Sequence, residues 1–248
     1  MTALAKLETP LLPVSISEVP WEPIGIHGLQ RKILGYDEQS GHVTFLLDIP
    51  AGWHGGGVAH YHECCEEVLL LSGSVTLDGS HYWHAGDYFY RPAHVVHGID
   101  EKSEEGARAL VRCDARMELL LVHEPDSHAE YPLPAFDDPR GHVFDLPLNE
   151  APRLETNSFP STWDLRALSD NAQTGARTIL VTIPAGWEGD PEGPGQSWEA
   201  YCLDGEVSSA ETTYHAGDYT VGDGSTPPLA ARASKAGARF ILWCFDKT

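Results

Sequence analysis

His60-Tyr61-His62-Glu63-Cys64-Cys65-Glu66 runs directly into an apolar stretch, Glu67-Val68-Leu69-Leu70-Leu71, that ends at Ser72-Gly73. Residues two apart on a strand face the same way, so His60 and His62 can aim two imidazoles at one point. Glu66 opens the next strand and can return a carboxylate to the same point. Further along, Gly86-Asp87-Tyr88-Phe89-Tyr90-Arg91-Pro92-Ala93-His94-Val95-Val96-His97 turns at Pro92 and can bring in a third imidazole from His97. Three neutral imidazoles and one carboxylate form a mixed nitrogen–oxygen donor set. With an octahedral divalent ion it leaves two positions open, which suits Fe(II) or Mn(II). A closed structural zinc site would favour cysteines and four ligands.

The same chain carries a second, altered copy of this region. Ile49-Pro50-Ala51-Gly52-Trp53 recurs as Ile183-Pro184-Ala185-Gly186-Trp187, and His84-Ala85-Gly86-Asp87-Tyr88 recurs as His215-Ala216-Gly217-Asp218-Tyr219. Leu71-Ser72-Gly73-Ser74-Val75 is echoed by Leu203-Asp204-Gly205-Glu206-Val207, and Ser17-Glu18-Val19-Pro20 by Asn149-Glu150-Ala151-Pro152. Offsets of 131 to 134 residues make each repeat a whole domain, not a solenoid unit. The expected organisation is an N-terminal arm at 1–15, a first domain at 16–135 and a second at 136–248. A linker is expected from Tyr131-Pro132-Leu133-Pro134 to Asp137-Asp138-Pro139-Arg140-Gly141. Within each repeat the pattern is short strands bounded by glycine and proline, such as Val43–Ile49 and Thr178–Ile183, with no convincing helix, so the fold class is all-β. In the second copy the ligand positions are lost. His60 falls on Glu192, His62 on Pro194, Glu66 on Trp198 and His97 on Pro228, with Glu199 the nearest carboxylate left. Trp53 and Trp187, shared by a repeat with ligands and one without, are expected to be structural.

The two ligand-bearing stretches resemble the paired motifs of the cupin superfamily. The first motif there is His-x-His, a Glu three or four residues on, and a Gly after six more; the second is Gly, five residues, Pro-x-Gly, two residues, His. Glu66 has the spacing to Gly73 that the motif asks for, with Glu67 as the alternative. Gly86, Pro92 and His97 match the second motif, and His94 stands where the family usually has glycine. The resemblance covers most of the first repeat and implies two tandem double-stranded β-helix (jelly-roll) barrels. It also implies one metal in the first barrel, held by His60, His62, Glu66 and His97. Fe(II) is the favoured ion, with Mn, Ni, Cu or Zn also used in the family.

Composition narrows the function. A net charge of −21, from 16 Lys and Arg against 37 Asp and Glu, disfavours nucleic acid and anionic membranes as partners. Five cysteines, with Cys64 and Cys65 adjacent, form no disulfide framework and point to a reducing cytoplasm, and no signal-peptide or membrane-spanning pattern is present. Cys64 and Cys65 read as buried small residues, with soft-metal binding or a redox switch as the alternative. The expected activity is an Fe(II) dioxygenase cleaving a carbon–carbon bond in a small chelating substrate, a β-dicarbonyl or hydroxyketone. The cupins similar in ligand set include the acetylacetone-dioxygenase type. His94 and Tyr90 are the candidate proton-transfer groups and Arg91 the candidate clamp for a substrate oxygen. The alternatives are a non-redox isomerase or lyase, and a ligand sensor resembling the cupin domain of ChrR-type anti-sigma factors, against which the lack of an attached helical segment counts. Exposed sheet edges and the N-terminal arm suggest a homodimer.

Overall fold

The computed structural model describes residues 13–25, 27–134 and 138–245. Most of the expected arm, residues 1–12, and the expected linker residues 135–137 lie outside them. The described chain is all-β; a single 3-10 turn, Pro228–Ala230, interrupts the strands.

The chain divides into two units. One spans Pro20–Asn149, and the other joins the segment ending at Val19 to the chain from Glu150 onward. The first unit therefore runs past the expected boundary at 135. The reason is that segments expected in or beyond the linker pair with its strands: Tyr131–Pro132 with Val95–Val96, and Val143–Pro147 with Asp87–Arg91.

The main sheet of the first unit is antiparallel. Its strands lie in the order Val143–Pro147, Asp87–Arg91, Glu66–Val75, Ala107–Cys113, Val43–Ile49, Gln30–Tyr36 and Glu22–Pro23, with Trp83–His84 paired to Glu66–Val75. Small two-stranded pairings join Trp53–His54 to Lys102–Ser103 and His60–Tyr61 to Leu120–Leu121. Strand alternation sorts the side chains. Phe45, Val68, Phe89, Ala109 and Val111 share one face and form a buried apolar cluster. Trp53 belongs to this cluster, and Trp187 to its counterpart in the second unit.

The second unit repeats the plan: Val14–Ser15, Asp218–Gly222, Ser197–Ser208, Ala238–Phe245, Arg177–Ile183 and Asp164–Asp170. Shared sequence motifs do the same local work in both. Asp87 Oδ2 accepts the His84 backbone N–H at 2.7 Å, and Asp218 Oδ2 accepts that of His215 at 2.8 Å. Gly73 (φ +70°) and Gly205 (φ +78°) both lie in the left-handed region, and a methyl on either would strike a carbonyl, that of Gly106 or Gly237.

The outermost strands follow a crossed rule. Leu146 and Pro147, just before the second repeat, pair with Tyr88 and Asp87. Val14 and Ser15, just before the first repeat, pair with Tyr219 and Asp218, the matching residues of the other unit.

Candidate metal centre

His60, His62 and His97 converge in the first unit, with one ring nitrogen from each within 4.8 Å of the others, and all three are buried. No other such group of His, Cys, Asp or Glu occurs among the described residues. Backbone pairing positions them. His60 and His97 exchange both backbone hydrogen bonds, each 2.9 Å, and the His94 N–H donates to the His62 carbonyl at 2.9 Å. The two motifs are thus stitched together, and the ring centroids sit 4.4 to 5.2 Å apart.

The hydrogen bonds also set the tautomers. His60 Nδ1 lies 2.9 Å from the Val58 carbonyl, His62 Nδ1 2.8 Å from that of Glu118, and His97 Nδ1 2.9 Å from that of Val95. A carbonyl only accepts, so each Nδ1 carries the proton and each Nε2 keeps its lone pair, as ligating histidines require. Burial holds the His97 imidazole well below its usual range, with the Arg91 charge adding to the effect. Burial likewise lowers His60, against the Val58 hydrogen bond. Both rings are kept in the neutral, metal-binding form. Three Nε2 lone pairs aimed at one space fit a transition metal.

Glu66 and Glu67 separate by alternation. Glu66 shares a face with Val68 and borders the same cavity as the histidines, its Oε2 3.9 Å from His97 Nε2. Glu67 points the other way. It accepts Tyr88 Oη at 2.8 Å, Arg140 Nη1 at 3.0 Å and Arg112 Nη1 at 3.3 Å. In the second unit Glu199 accepts Tyr219 Oη at 2.8 Å, so the carboxylate retained there is the counterpart of Glu67. Trp198 takes the register place of Glu66: it pairs with Gly222 and Cys244, as Glu66 pairs with Arg91 and Cys113. Its buried indole lies over Gly222, where a side chain would collide with it.

The residues expected to move protons or clamp substrate lie elsewhere. Arg91 is 2% exposed and committed to carboxylates. Its Nη1 donates to Glu66, and its Nε and Nη2 donate to Glu130 at 3.1 and 2.8 Å. Tyr90 lies on the strand face opposite Phe89, donates to Asp138 Oδ2 at 2.8 Å and stacks under Arg140. His94 adopts φ +64° at the family's glycine position and its ring meets Glu63 at 2.6 Å. None of the three borders the cavity. Arg91 acts on the site through Glu66. Cys64, Cys65 and Cys113 are buried free thiols.

The cavity itself measures about 230 Å³ and is mostly apolar, walled by residues such as Leu29, Phe45, Leu47, Val75 and Met117. It holds one polar group for which the sequence offers no signal, the Glu101 carboxyl; no motif spacing singles out this residue. Glu130, which anchors Arg91, is equally silent in sequence, because it arrives from an irregular segment far along the chain.

Residues 11–115 match the family of ChrR cupin-like domains. No curated protein matches the chain. Among solved structures it is similar to a protein of Nostoc punctiforme described as a candidate dioxygenase, with TM-score 0.73, 16% identity, and coverage of 95% of this chain and 80% of that one. It is also similar to Bacillus subtilis oxalate decarboxylase (a two-residue deletion mutant), with TM-score 0.58, 16% identity, and coverage of 96% and 77%. A further oxalate decarboxylase structure from that organism, studied for its Mn(II) centres, gives TM-score 0.55 at 15% identity over 97% and 78% of the two chains. Family match and fold agree with the two histidine motifs, and the matched region, residues 11–115, which carries both motifs, belongs to the cupin superfamily.

Proposed function

We propose that this chain is a metal-dependent cupin enzyme whose ion is held by His60, His62 and His97 through Nε2 and by Glu66, and that it is an Fe(II) dioxygenase of a small chelating substrate. The observation that carries this is the convergence of three Nε2 lone pairs at the wall of an apolar cavity. Fe(II), when bound, supplies Lewis acidity and electron transfer to O2 at the positions the protein leaves open. The protein's own residues do the rest. Arg91 fixes the Glu66 carboxylate while Glu130 fixes Arg91. The apolar wall excludes water and favours a substrate with a hydrocarbon body, a β-dicarbonyl or hydroxyketone being the chemistry that suits a chelating position. On this proposal each unit is a jelly-roll barrel and only the first one binds metal. A cytoplasmic location and a homodimer complete the proposal. The likeness to a candidate dioxygenase supports it.

Two observations favour other readings. The ChrR cupin-like match favours a ligand sensor, and the oxalate decarboxylase likeness favours a lyase that needs no net oxidation. The deciding experiment has two parts. Elemental analysis of the chain purified without added metal is expected to give one transition metal per chain, lost in His60→Ala plus His62→Ala. Oxygen-electrode assays against diketones and hydroxyketones are expected to show O2 uptake. Turnover that is equal without O2 favours the lyase, and tight ligand binding with no turnover favours the sensor.

A further inference from the structure

Beside the histidines the cavity holds the Glu101 carboxyl, four residues beyond His97. The Glu101 carbonyl accepts the Gly55 N–H at 2.9 Å, which ties this residue to the turn after Trp53–His54. Two glycines leave room for its side chain. A methyl on Gly55 would run into Glu101 Oε2, and one on Gly98 would lie 3.1 Å from Oε1 and strike the His60 imidazole. The carboxyl makes no ion pair and accepts no hydrogen bond among the described residues, and it is half-buried at the cavity wall. A carboxylate facing an apolar cavity without a partner is unfavourable, so a group held this way calls for a partner that arrives from outside.

The charges around the cavity limit that partner. Its lining contains no lysine or arginine, while Glu66 and Glu101 both face in. The nearby cation, Arg91, is already divided between Glu66 and Glu130. With a divalent ion bound, the two carboxylates already balance its charge, so a free dianion would leave the site strongly negative with no unpaired side-chain cation in the lining. A neutral molecule with an apolar body and two oxygens meets no such barrier. Size agrees: about 230 Å³ exceeds the ~150 Å³ that encloses benzene, leaving room for one substituted ring or a short diketone.

We propose that Glu101 is the proton acceptor of this site, taking a proton from an electrically neutral, oxygen-chelating substrate as it seats in the cavity. The inference rests on the metal-enzyme reading above. An O–H or activated C–H bond of the substrate breaks, its proton forms an O–H bond on the Glu101 carboxylate, and the electron pair stays on the substrate, shared by its two oxygens. Nothing is oxidised or reduced, and the total charge of the buried site does not change. Burial and the Glu66 charge push the Glu101 carboxyl up to about 7, against the pull of Arg91, which places it where a base working near neutral pH belongs.

The test uses the full-length, metal-loaded chain under nitrogen with 1-phenyl-1,3-butanedione as the probe, because its ultraviolet spectrum separates neutral from deprotonated forms. The wild type is expected to bind the probe deprotonated, and to bind oxalate at least about tenfold more weakly. Glu101→Gln is expected to keep its metal but to lose about tenfold or more in probe affinity, consistent with one lost polar contact in a buried site, and to leave any bound probe neutral. Glu101→Asp, which keeps the carboxyl, is expected to restore part of both signals and guards against a folding defect in the first variant. Unchanged affinity and spectrum in Glu101→Gln, loss of its metal, or a wild-type preference for oxalate would overturn the proposal. A wild-type chain that holds no metal is a separate result, seen in the metal assay, and overturns the underlying metal-enzyme reading.

Discussion

Glu66 and Glu67 show how much one step along a strand decides. The sequence alone left a choice between them as ligand, and the pleat sends Glu66 toward the cavity and Glu67 into a nest of Tyr88, Arg112 and Arg140. Their substitutions therefore differ in kind. Glu67→Ala leaves two buried guanidinium groups without their carboxylate and is expected to cost about 3–5 kcal/mol in urea unfolding. Glu66→Gln is expected to spare most of that stability, since Arg91 keeps Glu130, and to weaken metal binding at least about tenfold by competition with a chelator. The histidines were legible because ligation demands a fixed spacing. Tyr90, Arg91 and His94 were misassigned because proximity in sequence says nothing of strand face, and Tyr90 and Phe89 face opposite ways. Proton linkage gives a further residue-scale test on the metal-free protein. His60 and His97 are held below 6.5 in the fold, so protonation favours the unfolded chain and stability falls as pH drops below about 6.5. Glu101 works in the opposite direction. Raised from 4.5 to about 7, it contributes stability that is present below 4.5 and lost as pH rises through 7. Glu101→Gln removes this opposing part, so urea midpoints between pH 5 and 7.5 are expected to depend on pH more steeply in the variant. A flatter dependence would contradict the burial assigned to Glu101.

At the level of elements, the long strand Glu66–Val75 and its counterpart Ser197–Ser208 carry the plan of each unit. Both bend at a glycine in the left-handed region, Gly73 or Gly205, pressed against a carbonyl. Gly73→Ala and Gly205→Ala are each expected to cost about 1–3 kcal/mol or more, since strain and collision act together. Only the first should alter metal retention under partial denaturation, because only the first unit has the histidines. Equal tolerance of alanine at both positions, measured by thermal unfolding, would show that the bend is not needed. Long apolar strands such as Val43–Ile49 could be read from the sequence because their ends are punctuated by glycine or proline. Two-residue pairings such as His60–Tyr61 with Leu120–Leu121 could not, since two residues have no period. The same limit hid the strands at Tyr131–Pro132 and Val143–Pro147, and with them the true extent of the first unit.

For the molecule as a whole, the repeat was plain in sequence, and so was the loss of ligands from its second copy. The means of that loss was not. A bulky indole, Trp198, stands in the register place of Glu66 and lies over Gly222, the counterpart of Arg91. No described helix is long and apolar enough to cross a membrane. The crossed outer strands have a consequence of their own. Each unit finishes its sheet with the stretch of backbone that introduces the other, Val14–Ser15 for one and Leu146–Pro147 for the other. Such reciprocity is what two separate, identical single-unit chains would show if they traded leading arms, and fusing those chains end to end would leave the trade in place. On that account the peptide link between the halves is not a structural necessity. A protease site introduced between Pro134 and Gly141 should accordingly yield two fragments that still travel together on gel filtration at the position of the uncut protein and keep their metal. Fragments that part on cutting, without denaturant, would mean that the traded arms clasp nothing.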